Sequence, residues 1–107
     1  GIKNYIEIDK LISENKKFDI IIISHTLEHI YDLRDFFSNI LKFCHKNTIV
    51  YIEVPNFNKL SKKSLKSIQI GHLWYFNNET IEIILSVNNF KILKINNKIQ
   101  LLCKNIN

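Results

Sequence analysis

The sequence contains very little glycine and proline, with 2 Gly and 1 Pro among 107 residues. Loops that cradle phosphate groups usually need several glycines for tight turns and close backbone approach, so no loop of this kind is recognisable. Cysteine is also scarce, and Cys44 and Cys103 form no Cys-x-x-Cys pair. This argues against a disulfide scaffold and predicts a reduced, cytoplasmic setting.

Long apolar runs and targeting signals are missing as well. The isoleucine run Ile20–Ile23 falls far short of the roughly 20 apolar residues that span a membrane. We therefore expect no transmembrane segment and no signal peptide. The first residue is Gly1 rather than Met, which predicts a fragment or a processed piece.

The composition that is present suits one small domain. Hydrophobic residues make up 46% and charged residues 23%, so we expect a packed core and no global disorder. The net charge of +5 suits an anionic ligand. No recognition motif accompanies the lysines, so we do not expect a nucleic-acid partner.

The chain is organised around the stretch FDIIIISHTLEHI, Phe18–Ile30. Its β-branched run predicts a strand over Phe18–Ser24, and apolar residues at successive positions predict a central parallel strand covered on both faces. A polar cluster follows at once. It comprises Ser24, His25, Thr26, Glu28 and His29. Because ligands of open α/β sheets bind outside the carboxyl ends of the strands, we expect the functional site here.

A strand–helix–strand unit follows from the periodicity. Asp32 predicts a helix N-cap, and apolar residues at helical spacing continue to Cys44, with the helix ending at Lys46-Asn47. TIVYIEV, Thr48–Val54, predicts a second strand that stops at Pro55. Two strands joined through a helix imply a parallel pair with a right-handed crossover.

The remaining chain predicts a lysine-rich loop or helical lid over 56–70, an aromatic patch over 71–76, a helix and two strands. Asn77 or Asn78 caps the helix, and Asn89 takes the left-handed position at its end. The strands Phe90–Ile95 and Lys98–Lys104 form a hairpin, with Asn96-Asn97 at its tight turn because Asn tolerates positive φ.

Two histidine motifs allow more than one interpretation. His25-Thr26-Leu27-Glu28-His29 matches H-x-x-E-H, which on a helix would place two zinc ligands on one face with Glu28 as base; alternatively, Glu28 and His29 only brace a loop. His72 is either a packed, hydrogen-bonded residue or a general base or substrate ligand, since a histidine titrates near neutral pH.

Three ordered segments together resemble class I S-adenosylmethionine-dependent methyltransferases. They are FDIIIISHTLEH, TIVYIEVPN and HLWYFNNET, the last being similar to a segment of small-molecule and sugar methyltransferases. The resemblance implies an α/β fold: the C-terminal half of a Rossmann-like sheet, with parallel strands and a terminal antiparallel hairpin. The family's Gly-rich loop and ribose-binding acid have no counterpart. Residues 1–107 thus resemble a single partial domain that lacks the N-terminal cofactor-binding motif.

The resemblance also implies roles for individual residues. Ser24 and His25 would lie beside the methionine part of S-adenosylmethionine, and Glu28 and His29 would shape that wall. Pro55, Asn56, His72 and Tyr75 would face the methyl acceptor, with His72 as the proton acceptor. No metal is implied.

The resemblance predicts methyl transfer to a small molecule, with sugars among the candidates, as part of a larger methyltransferase. The isolated piece would be inactive, because strand Phe18–Ser24 would lose its neighbour and expose an edge. Its partners would be the missing N-terminal half or a second copy at that edge. The alternatives are a non-catalytic α/β association domain and, more distantly, a zinc hydrolase using HTLEH.

Overall fold

The computed structural model describes residues 13–57 and 74–106. These residues form four strands and two α-helices in the order predicted for an α/β domain. The strands are β1 (Phe18–Ser24), β2 (Cys44–Glu53), β3 (Phe90–Ile95) and β4 (Gln100–Asn105). The helices are α1 (Leu33–Lys42) and α2 (Asn78–Val87), and a 3₁₀ helix covers Leu27–His29. His72 and the lysine-rich segment lie outside the described residues.

The four strands form one sheet in the order β1-β2-β4-β3. β1 and β2 are parallel, whereas β4 runs antiparallel to both β2 and β3. A parallel pair joined through α1, followed by a terminal hairpin, is the predicted α/β architecture, which is thereby confirmed. No helix in the described part of the chain is long and apolar enough to cross a membrane.

Helix α1 begins where the sequence predicts and ends earlier than predicted. The Asp32 side chain accepts a hydrogen bond from the Asp35 amide at 3.0 Å, which caps the first turn. The helix stops at Lys42, and Cys44 already pairs with Phe18 in the sheet. The prediction that the helix runs to Lys46-Asn47 was wrong, because pairing with β1 outweighs helical periodicity there.

Helix α2 is held by the cap that the sequence predicts. The Asn77 side chain accepts a hydrogen bond from the Thr80 amide at 2.9 Å, and Thr80 Oγ1 accepts one from the Asn77 amide at 2.8 Å. This reciprocal capping box satisfies two backbone donors at the helix start. After the helix, Asn89 has φ 69°, which confirms the predicted left-handed residue.

The hairpin between β3 and β4 turns differently from the prediction. The left-handed residue is Ile99, with φ 53°, and not Asn96 or Asn97. Asn96 instead uses its side-chain oxygen, which accepts hydrogen bonds from the amides of Lys98 and Gln100 at 3.0 Å each. Asn96 therefore stabilises the turn through its side-chain hydrogen bonds, while Ile99 supplies the positive φ that was predicted for an asparagine.

The core lies on one face of the sheet, where both α-helices pack. Its fully buried members include Phe37 from α1, Ile81 and Leu85 from α2, and Val50 and Leu101 from the sheet. We call the opposite side, which carries Ile20, Ile22, Tyr51 and Leu102, the open face.

The position of β1 corrects one prediction. Ile20 is 66% exposed and Ile22 is 69% exposed, whereas Ile23 is buried. Within residues 13–57 and 74–106, the isoleucine run therefore forms an edge strand with one covered face, and for this part of the chain the prediction of a central strand covered on both faces was wrong. The implied exposed edge of Phe18–Ser24 is what the described residues show.

Candidate functional site

The predicted cofactor residues lie together where β1 ends. Ser24 is the last residue of β1, His25 follows with φ 51°, and the 3₁₀ helix carries Glu28 and His29. Thr26 Oγ1 donates a hydrogen bond to the Ser24 carbonyl at 3.0 Å. The left-handed residue turns the chain sharply, and histidine adopts this conformation more readily than β-branched residues do.

A row of polar side chains crosses three strands at the same end of the sheet. Ser24, Glu53 and Gln100 are in register on β1, β2 and β4. Glu53 accepts hydrogen bonds from Gln100 Nε2 at 3.3 Å, from Ser24 Oγ at 3.5 Å and from Tyr51 Oη at 3.0 Å. The Glu53 carboxylate therefore holds three neighbouring side chains together at this end of the sheet.

These hydrogen bonds change the acidity of the groups involved. The Gln100 and Tyr51 hydrogen bonds, with smaller contributions from His25 and Ser24, hold the pKa of Glu53 below its ordinary value of 4.5, against an opposing effect of desolvation. Desolvation, followed by the neighbouring Glu53, raises the pKa of Tyr51. Glu53 is therefore an anion at neutral pH, and Tyr51 remains a hydrogen-bond donor.

His25 lies between two carboxylates. Its Nε2 is 3.5 Å from Glu53 Oε1, and its Nδ1 is 3.9 Å from Glu28 Oε2. The imidazole is 60% exposed, so it forms the outer surface of the site.

Glu28 carries an unsatisfied polar atom. Its side chain is 2% exposed, and its Oε1 has no hydrogen-bond partner. A buried carboxylate oxygen without a donor is costly, because burial removes its hydration without replacing it. We call Ser24, His25, Glu28, Glu53 and Gln100 the carboxyl-end cluster; it carries two acids and one unsatisfied oxygen.

The aromatic patch of the sequence packs beside this cluster. The Trp74 amide donates a hydrogen bond to the Glu28 carbonyl at 3.1 Å, and the Trp74 indole N–H donates to the Ile30 carbonyl. These two bonds tie the segment that precedes α2 to the turn after β1. Tyr75 packs edge-on against Phe57 with ring centroids 4.7 Å apart.

The predicted acceptor residues lie on two adjoining segments. Asn56 forms a parallel bridge with Phe76, next to Tyr75. The Asn56 amide nitrogen donates to Asn78 Oδ1 at 3.3 Å and to the Asn97 carbonyl, so the side chain also joins β2 to α2 and the hairpin. Pro55 is half-buried before Asn56. The structure thus groups Asn56 with Tyr75, while the predicted proton acceptor His72 lies outside the described residues.

The zinc interpretation lacks its helical geometry. His25 precedes the 3₁₀ helix in a left-handed conformation, whereas Glu28 and His29 lie within it, so the two histidines do not share a helical face. Within residues 13–57 and 74–106, no group of three or more His, Cys, Asp or Glu side chains is arranged to hold a metal ion.

Sequence reasoning missed Glu53, Tyr51 and Gln100. The strand TIVYIEV was interpreted only by its β propensity, which conceals that Tyr51 and Glu53 share a face at period two. An acid as the last residue of a parallel strand was an available signal. Gln100 gave none, because its position beside Glu53 depends on the register of β4.

Comparison with known proteins identifies the family of this chain. No curated protein matches the chain. A family model described as a methyltransferase domain matches residues 3–95, which includes the carboxyl-end cluster up to Glu53, both α-helices and β3. The match extends over most of the chain, and the mixed α/β sheet with its parallel β1–β2 pair fits it. The chain therefore belongs to the methyltransferase domain family, in agreement with its resemblance to class I S-adenosylmethionine-dependent methyltransferases.

Proposed function

We propose that this chain takes part in S-adenosylmethionine-dependent methyl transfer to a small-molecule acceptor in the cytoplasm, as the C-terminal portion of a larger methyltransferase. Membership of the methyltransferase family supports methyl transfer in general. The carboxyl-end cluster supports the cofactor, and its buried Glu28 with an unsatisfied oxygen is the observation on which the proposal depends. The free thiols of Cys44 and Cys103 are consistent with a reducing compartment.

The residues of the cluster fit a cationic group. S-adenosylmethionine carries a positive sulfonium and a positive ammonium, and carboxylates are the side chains that complement such charges. Glu53 is ionised at neutral pH because its pKa is lowered, and Glu28 has an oxygen without a donor. Ser24, His25, Glu28 and His29 would hold the cofactor, with Glu53 added to the predicted set.

When bound, the cofactor supplies an electrophilic methyl group, and the residues of this chain bind and orient the reactants. Alignment of the acceptor with the methyl group is the main catalytic effect of such a site. Asn56 and Tyr75 would contact the acceptor. Tyr75 is 38% exposed and packs against Phe57, and such an aromatic surface suits a small apolar or sugar ring.

The predicted role of His72 as proton acceptor needs a kinetic test. A base should assist the acceptor without holding the cofactor. We expect His72→Ala in the catalytically complete enzyme to lower kcat far more than cofactor affinity. Unchanged kcat would remove His72 from the mechanism.

The proposal is tested by calorimetric titration of the catalytically complete enzyme with S-adenosylmethionine and, separately, with S-adenosylhomocysteine, whose sulfur is uncharged. We expect saturable binding that favours the charged form. Glu28→Gln keeps the shape of the side chain and removes its charge. It should lower affinity for S-adenosylmethionine by about tenfold, equivalent to about 1.4 kcal/mol, and reduce the preference for the charged form.

Glu82→Gln is the matched control, because Glu82 is exposed on α2 outside the carboxyl-end cluster. It should bind like the unchanged chain. Absence of heat from the folded, catalytically complete enzyme, or equal affinity of its Glu28→Gln variant, would contradict cofactor recognition by this cluster. The first of these results would favour the non-catalytic association domain instead.

A further inference from the structure

The short 3₁₀ helix that carries Glu28 has little to hold its C-terminal end. It spans only Leu27–His29, and its N-cap residue makes no side-chain capping hydrogen bond. The carbonyls at the end of such a helix have no later amide within the helix to bind. The fully buried Leu27 fixes one side of the helix in the core. The orientation of the other side therefore depends on a partner outside the helix.

Trp74 is that partner, and it binds the end of the helix at two points. Its amide donates a hydrogen bond to the Glu28 carbonyl at 3.1 Å, and its indole N–H donates to the Ile30 carbonyl. Trp74 is itself held in place, because Phe76, two residues later, is 2% exposed and forms a bridge with Asn56. The two hydrogen bonds therefore join the end of the 3₁₀ helix to a fixed segment.

The buried carboxylate of Glu28 requires a fixed backbone. Its Oε1 has no hydrogen-bond partner although the residue is 2% exposed, and a carboxylate in this state gains free energy by turning towards water. Tilting of the helix end would allow that movement. The hydrogen bonds from Trp74 oppose the tilt and so keep the unsatisfied oxygen in its buried position.

We propose that Trp74 is a positioning residue that holds Glu28 ready for the positive charge of the cofactor. This inference deepens the proposed function and rests on it. A carboxylate that is already oriented loses less conformational freedom when a cation binds, so its affinity for the cation is higher. Trp74 thus strengthens, through Glu28, the preference for S-adenosylmethionine over S-adenosylhomocysteine, whose sulfur is uncharged.

The test is calorimetric titration of the catalytically complete enzyme carrying Trp74→Phe, which keeps an aromatic ring and removes the indole N–H. We expect affinity for S-adenosylmethionine to fall by about threefold to tenfold, the loss expected for one hydrogen bond, with less than about a twofold change for S-adenosylhomocysteine. Tyr31→Phe is the matched control, since Tyr31 is 87% exposed after the same helix and also loses one polar group from an aromatic side chain. It should bind both ligands like the unchanged enzyme.

A double variant separates positioning from general support of the fold. If Trp74 acts through Glu28, Trp74→Phe combined with Glu28→Gln should bind S-adenosylmethionine no more weakly than Glu28→Gln alone. Additive losses, or an equal loss for both ligands in Trp74→Phe, would overturn the proposal. Normal binding by Trp74→Phe beside weakened binding by Glu28→Gln would overturn this inference alone, whereas normal binding by Glu28→Gln would overturn the cofactor role of the cluster as well.

Hydrogen exchange measures the same effect without cofactor. In Trp74→Phe the amides of His29 and Ile30 should exchange faster, while those of β2 keep their protection. Benzothienylalanine at position 74, in which sulfur replaces the indole N–H within a ring of similar size, repeats the comparison without the smaller phenyl ring. Unchanged exchange of the two amides in both proteins would also overturn the proposal.

Discussion

At the scale of single residues, the ionisation of Glu53 should make the stability of the fold depend on pH. Its folded pKa lies below 4.5, so its hydrogen bonds stabilise the fold fully above that value and are lost as pH falls through the folded pKa. We expect Glu53→Gln to lower the free energy of unfolding at neutral pH. The difference from the unchanged chain should shrink below pH 4.5, as measured by urea denaturation over a pH series.

Glu82→Gln controls for the loss of one negative charge, because Glu82 is exposed and outside the cluster. It should show no comparable convergence in acid. A constant difference between Glu53→Gln and the unchanged chain at all pH values would mean that the carboxylate charge does not support the polar row.

The two cysteines should differ in reactivity. Burial, with a smaller effect of Cys44, raises the pKa of Cys103 to about 12; burial also raises the pKa of Cys44, but Lys17 opposes that effect. Since the thiolate is the nucleophile, we expect iodoacetamide to label Cys44 first and Cys103 only after unfolding. Peptide mass spectrometry with and without denaturant measures this order, and early labelling of Cys103 would contradict its burial.

The site could be predicted from sequence only where it is local. Ser24, His25, Glu28 and His29 are contiguous with β1, so the end of the strand locates them. Glu53 and Gln100 join them through strand register, which depends on long-range pairing. The sequence also gives no sign that Glu28 becomes buried, since that depends on how the turn packs.

At the scale of elements, the capping box of α2 should contribute measurably to stability. Asn77→Ala removes the side chain that accepts a hydrogen bond from the Thr80 amide. We expect the free energy of unfolding to fall by about 1 kcal/mol. Ser86→Ala, an exposed position near the other end of α2, is the control and should have little effect. Urea denaturation measures both, and equal stabilities would mean that the cap is dispensable.

The starts of the two helices were more predictable than the boundary between α1 and β2. Asp32 and Asn77 act within their own turns, so local chemistry is enough to identify them. The end of α1 depends on Cys44 pairing with Phe18, a contact between residues far apart in sequence. The beginning of β2 was missed for the same reason.

At the scale of the whole molecule, Phe37 connects α1 to the hairpin. It is fully buried, and its ring lies 5.6 Å from that of Phe90 on β3. Phe37→Ala should lower the free energy of unfolding by about 3–5 kcal/mol, a large part of the stability of a small domain. Val87→Ala, at a 70% exposed position on α2, is the control. A small loss on thermal or urea unfolding of Phe37→Ala would contradict a single shared core.

The overall architecture could be predicted because the strand–helix–strand pattern and the terminal hairpin follow from local patterns. The isoleucine run did not predict which face of the sheet is covered. Isoleucine is usually buried, yet Ile20 and Ile22 are exposed in the fold. The type of a residue indicates whether burial is favourable, whereas its actual exposure depends on which segments pack against it.

The conformation of Ile99 has a consequence for folding kinetics. A β-branched residue with φ 53° is disfavoured locally, yet the Ile99 side chain is fully buried. The turn is therefore held by the core and not by its own preference, so the hairpin gains stability only after the core has assembled. Substitution of Ile99 should accelerate unfolding while leaving the refolding rate nearly unchanged, which places this turn among the last parts of the molecule to form.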